Sequence, residues 1–188
     1  MTMLDNRKTR YTRRVIKDSY CELLLKKHIS KVTVKELCEL ADINKGTFYN
    51  HYYSIYDLQE ELENTIIDKI KEAVEKVVYK TQEETVYVVL SILYEQKDVL
   101  YSMIKNSSDS SFWNKLSVIL TNTSICLWKD LDISHETIMM ATRYILATSE
   151  AIQREWIMNG CKESINDIKY IIVNVLKKIE ELFFVERS

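Results

Sequence analysis

A short polar and aromatic run around Phe48 and Tyr52 has the chemistry of a nucleic-acid contact surface. Hydroxyl, amide, phenol and imidazole groups donate and accept hydrogen bonds at phosphate oxygens and base edges. Phe48 and Tyr52 lie four residues apart and would anchor the run on a hydrophobic core. The residues left free are Gly46, Thr47, Tyr49, Asn50 and His51. We therefore expect a small platform of hydrogen-bonding groups that reads DNA.

The residues before this platform predict a helix that begins at Thr33. Thr33 and Glu36 form a capping-box pattern, in which the hydroxyl accepts from the amide three residues on and the carboxylate accepts from the Thr33 amide. Apolar residues then recur at helical spacing and would face a core: Val34, Leu37, Cys38 and Ala41.

Asp42-Ile43-Asn44 predicts the turn that ends this helix. Asp and Asn favour turns because their side chains compete for nearby backbone groups, and Asn44 can also cap the next helix. This second helix would run from Lys45 to about Tyr52, and its two turns would be marginal without packing on neighbours. Ser54 and Asp57 repeat the capping pattern and begin another helix. The segment from Lys31 to Leu58 is therefore predicted to be a helix-turn-helix.

Residues 10–62 of this chain resemble a known family. The DNA-binding signature of the TetR/AcrR family of bacterial transcriptional regulators is similar to residues 33–58, TVKELCELADINKGTFYNHYYSIYDL. The shared features are the capped helix, the three-residue turn, Gly46, the Phe48-Tyr49 pair, His51 and the Ser54 cap. In such proteins the first helix of the motif touches phosphates at its start, and the second lies in the major groove.

The resemblance implies roles by position. Thr33 would bind phosphate, Lys45, Thr47 and Asn50 would face bases, and Tyr49 and His51 would contact phosphate or base edges. Ile55 departs from the family pattern, which usually has Lys there, so Tyr53 and the basic amino-terminal residues would supply the missing backbone contact. The predicted DNA-binding residues are Thr33, Lys45, Gly46, Thr47, Tyr49, Asn50, His51, Tyr53, Arg13 and Arg14.

The charge distribution favours the same end of the chain. The net charge of the 188 residues is −2, yet the segment up to Tyr56 holds eleven basic and six acidic residues. The rest is correspondingly acidic, so a basic head on an acidic body would orient the molecule toward phosphate. The alternative is that these charged residues lie on ordinary solvent-exposed helix faces and bind nothing.

The composition predicts an all-α fold. Proline is absent and glycine occurs twice, which disfavours a turn-rich β fold, and 46% hydrophobic residues suffice for a core. We expect about nine helices: a three-helix head in residues 1–56, a long helix from Ser54 to about Tyr79, and a helical ligand-binding and dimerisation body in residues 57–188. The first helix, Thr9 to about His28, would bury Tyr11, Val15, Ile16, Tyr20, Leu23 and Leu24.

Several classes of site and location are not indicated. Four scattered cysteines without a CxxC pair do not form a zinc framework, so no metal is expected. Redox sensing through Cys126 or Cys161 stays open. The longest uncharged stretch, Leu116 to Trp128, is too short and polar to span a bilayer, and the chain is expected to be cytoplasmic.

The last two predicted helices suggest a homodimer. Their apolar stripes are wider than one neighbour would cover, and small residues on the penultimate helix allow close approach of a partner. The predicted interface residues are Ile145, Ile152, Ile168, Ile172, Val175 and Ile179. A dimer would also place two recognition helices roughly 34–36 Å apart on a palindromic operator. The alternative is that these stripes only close the core of one chain.

Aromatic residues in the body raise the question of a ligand. The family resemblance implies a repressor released from double-stranded operator DNA by a small hydrophobic or aromatic effector, and aromatic walls suit such sites. The candidate lining is Tyr94, Tyr101, Trp113, Trp128, Tyr144 and Trp156, although aromatic residues at helical spacing also form plain cores. The alternative is a DNA-binding activator or co-regulator controlled by a protein partner. No enzyme is expected and no cofactor, because the sequence offers no recognisable catalytic set.

Overall fold

The computed structural model describes residues 3–77, 81–106, 111–128 and 132–184. These residues form nine α-helices and one 3-10 turn, Ile29–Lys31, and they contain no strand, so the predicted all-α fold is confirmed. The helices are α1 (Met3–Leu24), α2 (Val34–Leu40), α3 (Lys45–Tyr49), α4 (Ile55–Glu75), α5 (Gln82–Glu95), α6 (Lys97–Lys105), α7 (Ser111–Trp128), α8 (His135–Met158) and α9 (Ile165–Phe184).

The predicted caps at Thr33 and Asn44 are confirmed. Each side chain accepts a hydrogen bond from the backbone amide three residues on, immediately before α2 and α3. Ser134 caps α8 in the same way. Gly160 follows α8 with a φ of 79°, the left-handed conformation that commonly ends a helix.

Some helix ends differ from the sequence prediction. The recognition helix α3 ends at Tyr49 instead of Tyr52, because the amides of His51 and Tyr52 both bond to the Phe48 carbonyl and close a turn. Helix α1 ends at Leu24, four residues early, where the chain turns toward the 3-10 segment. Helix α4 ends at Glu75, and its predicted end, Tyr79, lies outside the described residues.

One compact unit comprises Met1–Thr65 and Asp98–Ser108. Its core is built from α1 to α4 and also includes Met103 of α6. Tyr11, predicted to be buried, is exposed because it lies beyond the end of this core. Of the other predicted positions, Val15 is half-buried, and the buried ones are Ile16, Tyr20, Leu23 and Leu24. The domain boundary predicted from the sequence, at residue 56, leaves α6 and nearly all of α4 in the body. The compact unit instead includes the first half of α4 and all of α6 except Lys97.

The second compact unit comprises Ile66–Lys97 and Asp109–Ser188. Within it, α9 packs on α5 and α8, and α7 packs on α8. Buried side chains at these contacts include Leu90, Leu93, Leu116, Ile145, Trp156, Ile172 and Leu176. Among the described helices, none is both long and apolar enough to cross a membrane.

Candidate nucleic-acid interface

A complete capping box fixes the start of α2. The Thr33 hydroxyl accepts from the Glu36 amide at 3.2 Å, and Glu36 Oε2 accepts from the Thr33 amide at 3.2 Å and from its hydroxyl at 2.9 Å. Lys27 adds an ion pair to the same carboxylate at 2.6 Å. Hydrogen bonds from Lys27 and Thr33 lower the pKa of Glu36, so the carboxylate stays ionised. Thr33 is thus exposed at the helix start and held in one orientation.

The turn between α2 and α3 is closed by two side chains that suit it. Asp42 adopts a φ of 50°, a left-handed conformation that Asp tolerates better than most residues. Asn44 Oδ1 accepts from the Thr47 amide at 2.7 Å and from the Thr47 hydroxyl at 3.1 Å. The Thr47 hydroxyl is therefore oriented by the cap of its own helix.

The two aromatic anchors are buried as predicted. Phe48 and Tyr52 lie within the core of the first unit, with ring centroids 5.7 Å apart. Tyr49 packs its edge on Phe48 at 5.4 Å and still exposes more than half of its side chain. The five-residue α3 is therefore held from below by its anchors, and its outer side chains remain accessible.

All ten predicted DNA-binding residues are exposed or half-buried. Thr47 and His51 are half-buried, and the other eight are exposed: Thr33, Lys45, Gly46, Tyr49, Asn50, Tyr53, Arg13 and Arg14. Seven of them lie in the segment from Lys45 to Tyr53. A Cβ added at Gly46 would approach Asn44 Oδ1 to 3.2 Å, so a larger residue there would press on the helix cap.

Ile55, where the resemblance predicted a departure from the family's usual lysine, is a core residue in this chain. Its side chain is 6% exposed and belongs to the core, so the position faces inward in this chain. The adjacent cap is intact, because the Ser54 hydroxyl accepts from the Asp57 amide at 3.1 Å. Asp57 Oδ2 accepts from the Tyr53 amide at 2.8 Å, and the Tyr53 side chain is 91% exposed.

A charged network that the sequence did not indicate links α1 to α4. Glu61 pairs with Arg13 at 2.6 Å and with Lys17 at 2.7 Å, and it accepts from the Tyr52 hydroxyl at 3.3 Å. The Arg13 guanidinium also lies 5.6 Å from the centre of the Tyr52 ring. Arg13, predicted to grip phosphate, is therefore held by a carboxylate, whereas Arg14 rests on the exposed Tyr11 ring at 5.5 Å.

The pKa values in this network reflect burial and charge. Burial alone would raise the pKa of Glu61, but the Lys17 hydrogen bond and the charges of Lys17 and Arg13 outweigh it and lower the pKa. Burial, followed by the Glu61 charge, raises the pKa of Tyr52 to about 12. Near neutral pH the carboxylate is therefore ionised and the phenol keeps the proton that it donates. The sequence could not predict this network, because Glu61 lies 48 residues from Arg13 and only the fold brings them together.

The six predicted effector-site residues do not line one common cavity among those found, although two of them contact each other. Tyr94 stacks on Trp156 at 5.9 Å, whose indole Nε1 donates to the Glu163 carbonyl. Trp128 packs on Phe184, and Tyr144 packs on Phe183. Tyr101 belongs to the first compact unit. Trp113 lines a cavity between α7 and α8.

The six predicted interface residues divide by burial. Ile145, Ile168 and Ile172 are buried within the single chain, and Ile152, Val175 and Ile179 are half-buried. The first three therefore pack the core of the second unit and are not available on its surface. Exposed apolar residues follow neighbouring stripes instead: Met140, Tyr144, Ala147 and Ala151 on α8, and Ile171 and Leu182 on α9.

Comparison with known proteins gives a consistent result. The model of a transcriptional regulator C-terminal region, TetR_C_8, matches residues 80–178. No curated protein matches this chain in sequence.

Solved structures share the fold. A TetR transcriptional regulator from Streptococcus agalactiae 2603V is 21% identical, with a TM-score of 0.69 over 94% of this chain and 99% of that one. NalD, the secondary repressor of the MexAB-OprM multidrug efflux pump in Pseudomonas aeruginosa, is 14% identical, with a TM-score of 0.69 over 90% and 96%. The dihydroxyacetone kinase operon activator DhaS is 21% identical, with a TM-score of 0.62 over 92% and 97%.

Proposed function

Because the chain belongs to the TetR/AcrR family of transcriptional regulators, we propose that it is a dimeric repressor that binds a palindromic operator and leaves it when a small molecule binds. The observation that carries DNA binding is the helix-turn-helix with its outer side chains exposed. In this motif the second helix enters the major groove and its first residues contact base edges.

The chemistry of α3 supports direct readout of bases. Lys45 and Asn50 offer a cation and an amide, which suit guanine and adenine edges respectively in the major groove. Both side chains are exposed, and Tyr49 stands beside them. Arg14, Thr33 and Tyr53 flank this surface with groups that suit phosphate contacts.

Binding to the DNA upstream of the gene that encodes this chain tests this function. We expect Tyr49→Ala to abolish specific operator binding in a mobility-shift assay without unfolding the protein, since Tyr49 is exposed and its removal leaves the Phe48 anchor in place. Tyr87→Ala, which removes an exposed tyrosine from the second compact unit, is the matched control and should bind like the parent. Specific affinity retained by Tyr49→Ala would contradict the assignment of α3 as the recognition helix.

The sign of regulation has two candidates among the structural neighbours. NalD is a repressor and DhaS an operon activator, and both share this fold. Activation, with the signal coming from a protein partner, is therefore the second candidate. A reporter gene behind the operator separates the two: repression predicts that deleting the regulator raises expression, and activation predicts that expression falls.

A further inference from the structure

The first half of α4 brings negative charge into the DNA-binding unit. Residues 57–65 belong to the first compact unit and contain no basic residue. Their acidic residues are Asp57, Glu60, Glu61 and Glu63. The charge count up to residue 56 therefore overstates the positive charge of this unit. Glu61 is the acid among them that forms ion pairs with the basic face of α1.

Both carboxylate oxygens of Glu61 are engaged. Oε2 accepts from Arg13 Nη2 at 2.6 Å, and Oε1 pairs with Lys17 Nζ at 2.7 Å. The Tyr52 hydroxyl also donates to Oε1, at 3.3 Å. The lowered pKa of Glu61 keeps this carboxylate ionised near neutral pH. Hydrogen bonds between such charged groups are stronger than neutral ones, so the carboxylate holds both cations in defined positions.

The guanidinium of Arg13 has a second contact that fixes it. It lies 5.6 Å from the centre of the Tyr52 ring, a distance at which a cation is attracted to an aromatic face. To reach a DNA phosphate, Arg13 would have to leave the carboxylate and the ring together. Its side chain is still 44% exposed in the ion pair, so it lies at the surface and not in the core.

The paired cations lie beside the side chains expected to meet DNA. Tyr52 follows directly after the exposed segment that carries Tyr49 and Asn50, and Arg13 precedes the exposed Arg14 on α1. Each cation that binds a phosphate contributes to the sequence-independent part of DNA affinity by releasing counterions. A cation that is already neutralised by a carboxylate of its own chain contributes less, because that ion pair must first be broken.

We propose that Glu61 limits the affinity of this protein for DNA of any sequence by keeping Arg13 and Lys17 from the phosphate backbone. The base contacts expected from α3 come from other side chains, so the preference for an operator over random DNA is unaffected. A weaker sequence-independent affinity reduces binding to the large excess of non-specific sites in a genome. The inference rests on the proposed function only in that this face of the protein binds DNA.

Glu61→Gln tests the proposal because it keeps the shape of the side chain and removes its charge. On a random-sequence duplex at about 50 mM salt, we expect the variant to bind about tenfold more tightly than the parent. The slope of log affinity against log salt should steepen by about 0.9 to 1.8 per bound subunit, for one or two released cations. Fluorescence anisotropy over a salt series measures both quantities. Unchanged or weaker binding, or an unchanged slope, would overturn the proposal.

Arg13→Ala in two backgrounds shows whether Glu61 masks this cation. In the parent it should leave the salt slope unchanged, because Arg13 is engaged by Glu61. In Glu61→Gln it should reduce the slope by about 0.9 per bound subunit, since the released arginine is then removed. The same effect of Arg13→Ala in both backgrounds would mean that Glu61 masks nothing, and would refute the proposal.

Two controls separate released cations from other effects. Glu83→Gln removes the same charge from an ion pair with Lys177 at 3.3 Å in the second compact unit. Tyr52→Phe removes the phenol from Glu61 and leaves both ion pairs. Both variants should bind random DNA like the parent. If Glu83→Gln bound as tightly as Glu61→Gln, net charge would explain the effect, and if Tyr52→Phe did, a change in the helix-turn-helix would explain it. Either result would overturn the proposal.

A second substitution protects the test against misfolding. Glu61→Ala removes the carboxylate in a different way and should change affinity and slope in the same direction as Glu61→Gln. Helix content from circular dichroism selects the folded variant for the comparison. Opposite effects of two folded variants would contradict a role of the charge.

Failure of the proposed function would look different. If the parent binds operator and random DNA equally, the operator-binding function fails, and the random duplex still decides the role of Glu61. If the parent prefers its operator but Glu61→Gln keeps the parent slope, the function stands and the role of Glu61 fails. If the parent binds no DNA even at low salt, both fail.

Discussion

At the scale of single residues, Glu61 holds two basic side chains of α1 in ion pairs. It ties Arg13, Lys17 and the Tyr52 phenol together beside the helix-turn-helix. We expect Glu61→Gln to lower the free energy of unfolding near neutral pH by up to about 1 kcal/mol, since these ion pairs are partly exposed and screened.

The pH dependence of this loss follows from the lowered pKa of Glu61. The folded state holds the carboxylate ionised more strongly than the unfolded chain does, so the stabilisation is present above the unfolded pKa of about 4.3 and is lost as the pH falls through the lower folded pKa. In urea unfolding, the gap in unfolding free energy between the parent and Glu61→Gln should therefore narrow as the pH falls from neutral through the unfolded pKa and toward the lower folded pKa. Glu22→Gln, which removes an exposed pair with Lys26, is the control and should change little. A gap that stays constant across this range would contradict the network.

Arg13 and Arg14 are neighbours in sequence with different surroundings. Arg13 is engaged by Glu61, and Arg14 lies on the exposed Tyr11 ring, so we expect phosphate contact mainly from Arg14. Arg14→Ala should reduce the slope of log affinity against log salt by about 0.9 per bound subunit on every DNA sequence alike. Arg13→Ala is the matched comparison and should leave that slope unchanged. The assignment fails if Arg14→Ala keeps the parent slope.

At the scale of helices, α3 is too short to be stable alone and depends on its cap and anchors. Asn44→Ala removes the acceptor that holds the Thr47 amide and hydroxyl, and should lower the free energy of unfolding by about 1 kcal/mol. The same change should weaken specific binding to operator DNA more than non-specific binding, because the loss of the cap destabilises α3, which would carry the base contacts. Urea unfolding and mobility shifts on operator and random DNA measure both quantities.

Ser134→Ala provides the matched control for this cap. It removes the equivalent cap of α8, whose hydroxyl accepts from the Thr137 amide at 3.1 Å. We expect Ser134→Ala to lower the free energy of unfolding about as much as Asn44→Ala does, but to leave specific operator binding unchanged. If both variants lost specific binding equally, general destabilisation would explain the effect and the role of the α3 cap would be refuted.

The helix scale also separates what the sequence could predict from what it could not. The caps at Thr33 and Asn44 involve residues three apart, so local chemistry located these helix starts. The inward position of Ile55 and the pairing of Glu61 with Arg13 depend on packing between helices distant in sequence. The cavity between α7 and α8 was missed for the same reason, because its lining comes from two helices that are separate in sequence.

At the scale of the whole molecule, the proposed dimer needs an exposed apolar surface on each chain. The sequence predicted a wide stripe on the last helix, but periodicity does not tell which edge of a stripe covers the chain's own core. The structure separates two adjacent residues: Ile172 is 1% exposed and Ile171 is 45% exposed. Leu182 and Tyr144 are also exposed, whereas Ile145 and Ile168 are buried. We therefore propose that the interface is formed by the outer edges of α8 and α9.

A pair of charges on that outer edge tests the dimer. We expect Ile171→Glu together with Leu182→Glu to give folded monomers in light scattering, because two copies of an isologous interface would each bring the same buried charges. Operator affinity should fall with the dimer, since a monomer engages only one half-site. Ile172→Glu is the contrasting variant: it buries a charge in the monomer core and should unfold the second unit instead. If the double variant remained a dimer with native helicity, this edge would not be the interface. Ile171 and Leu182 would then be solvent-exposed in the dimer.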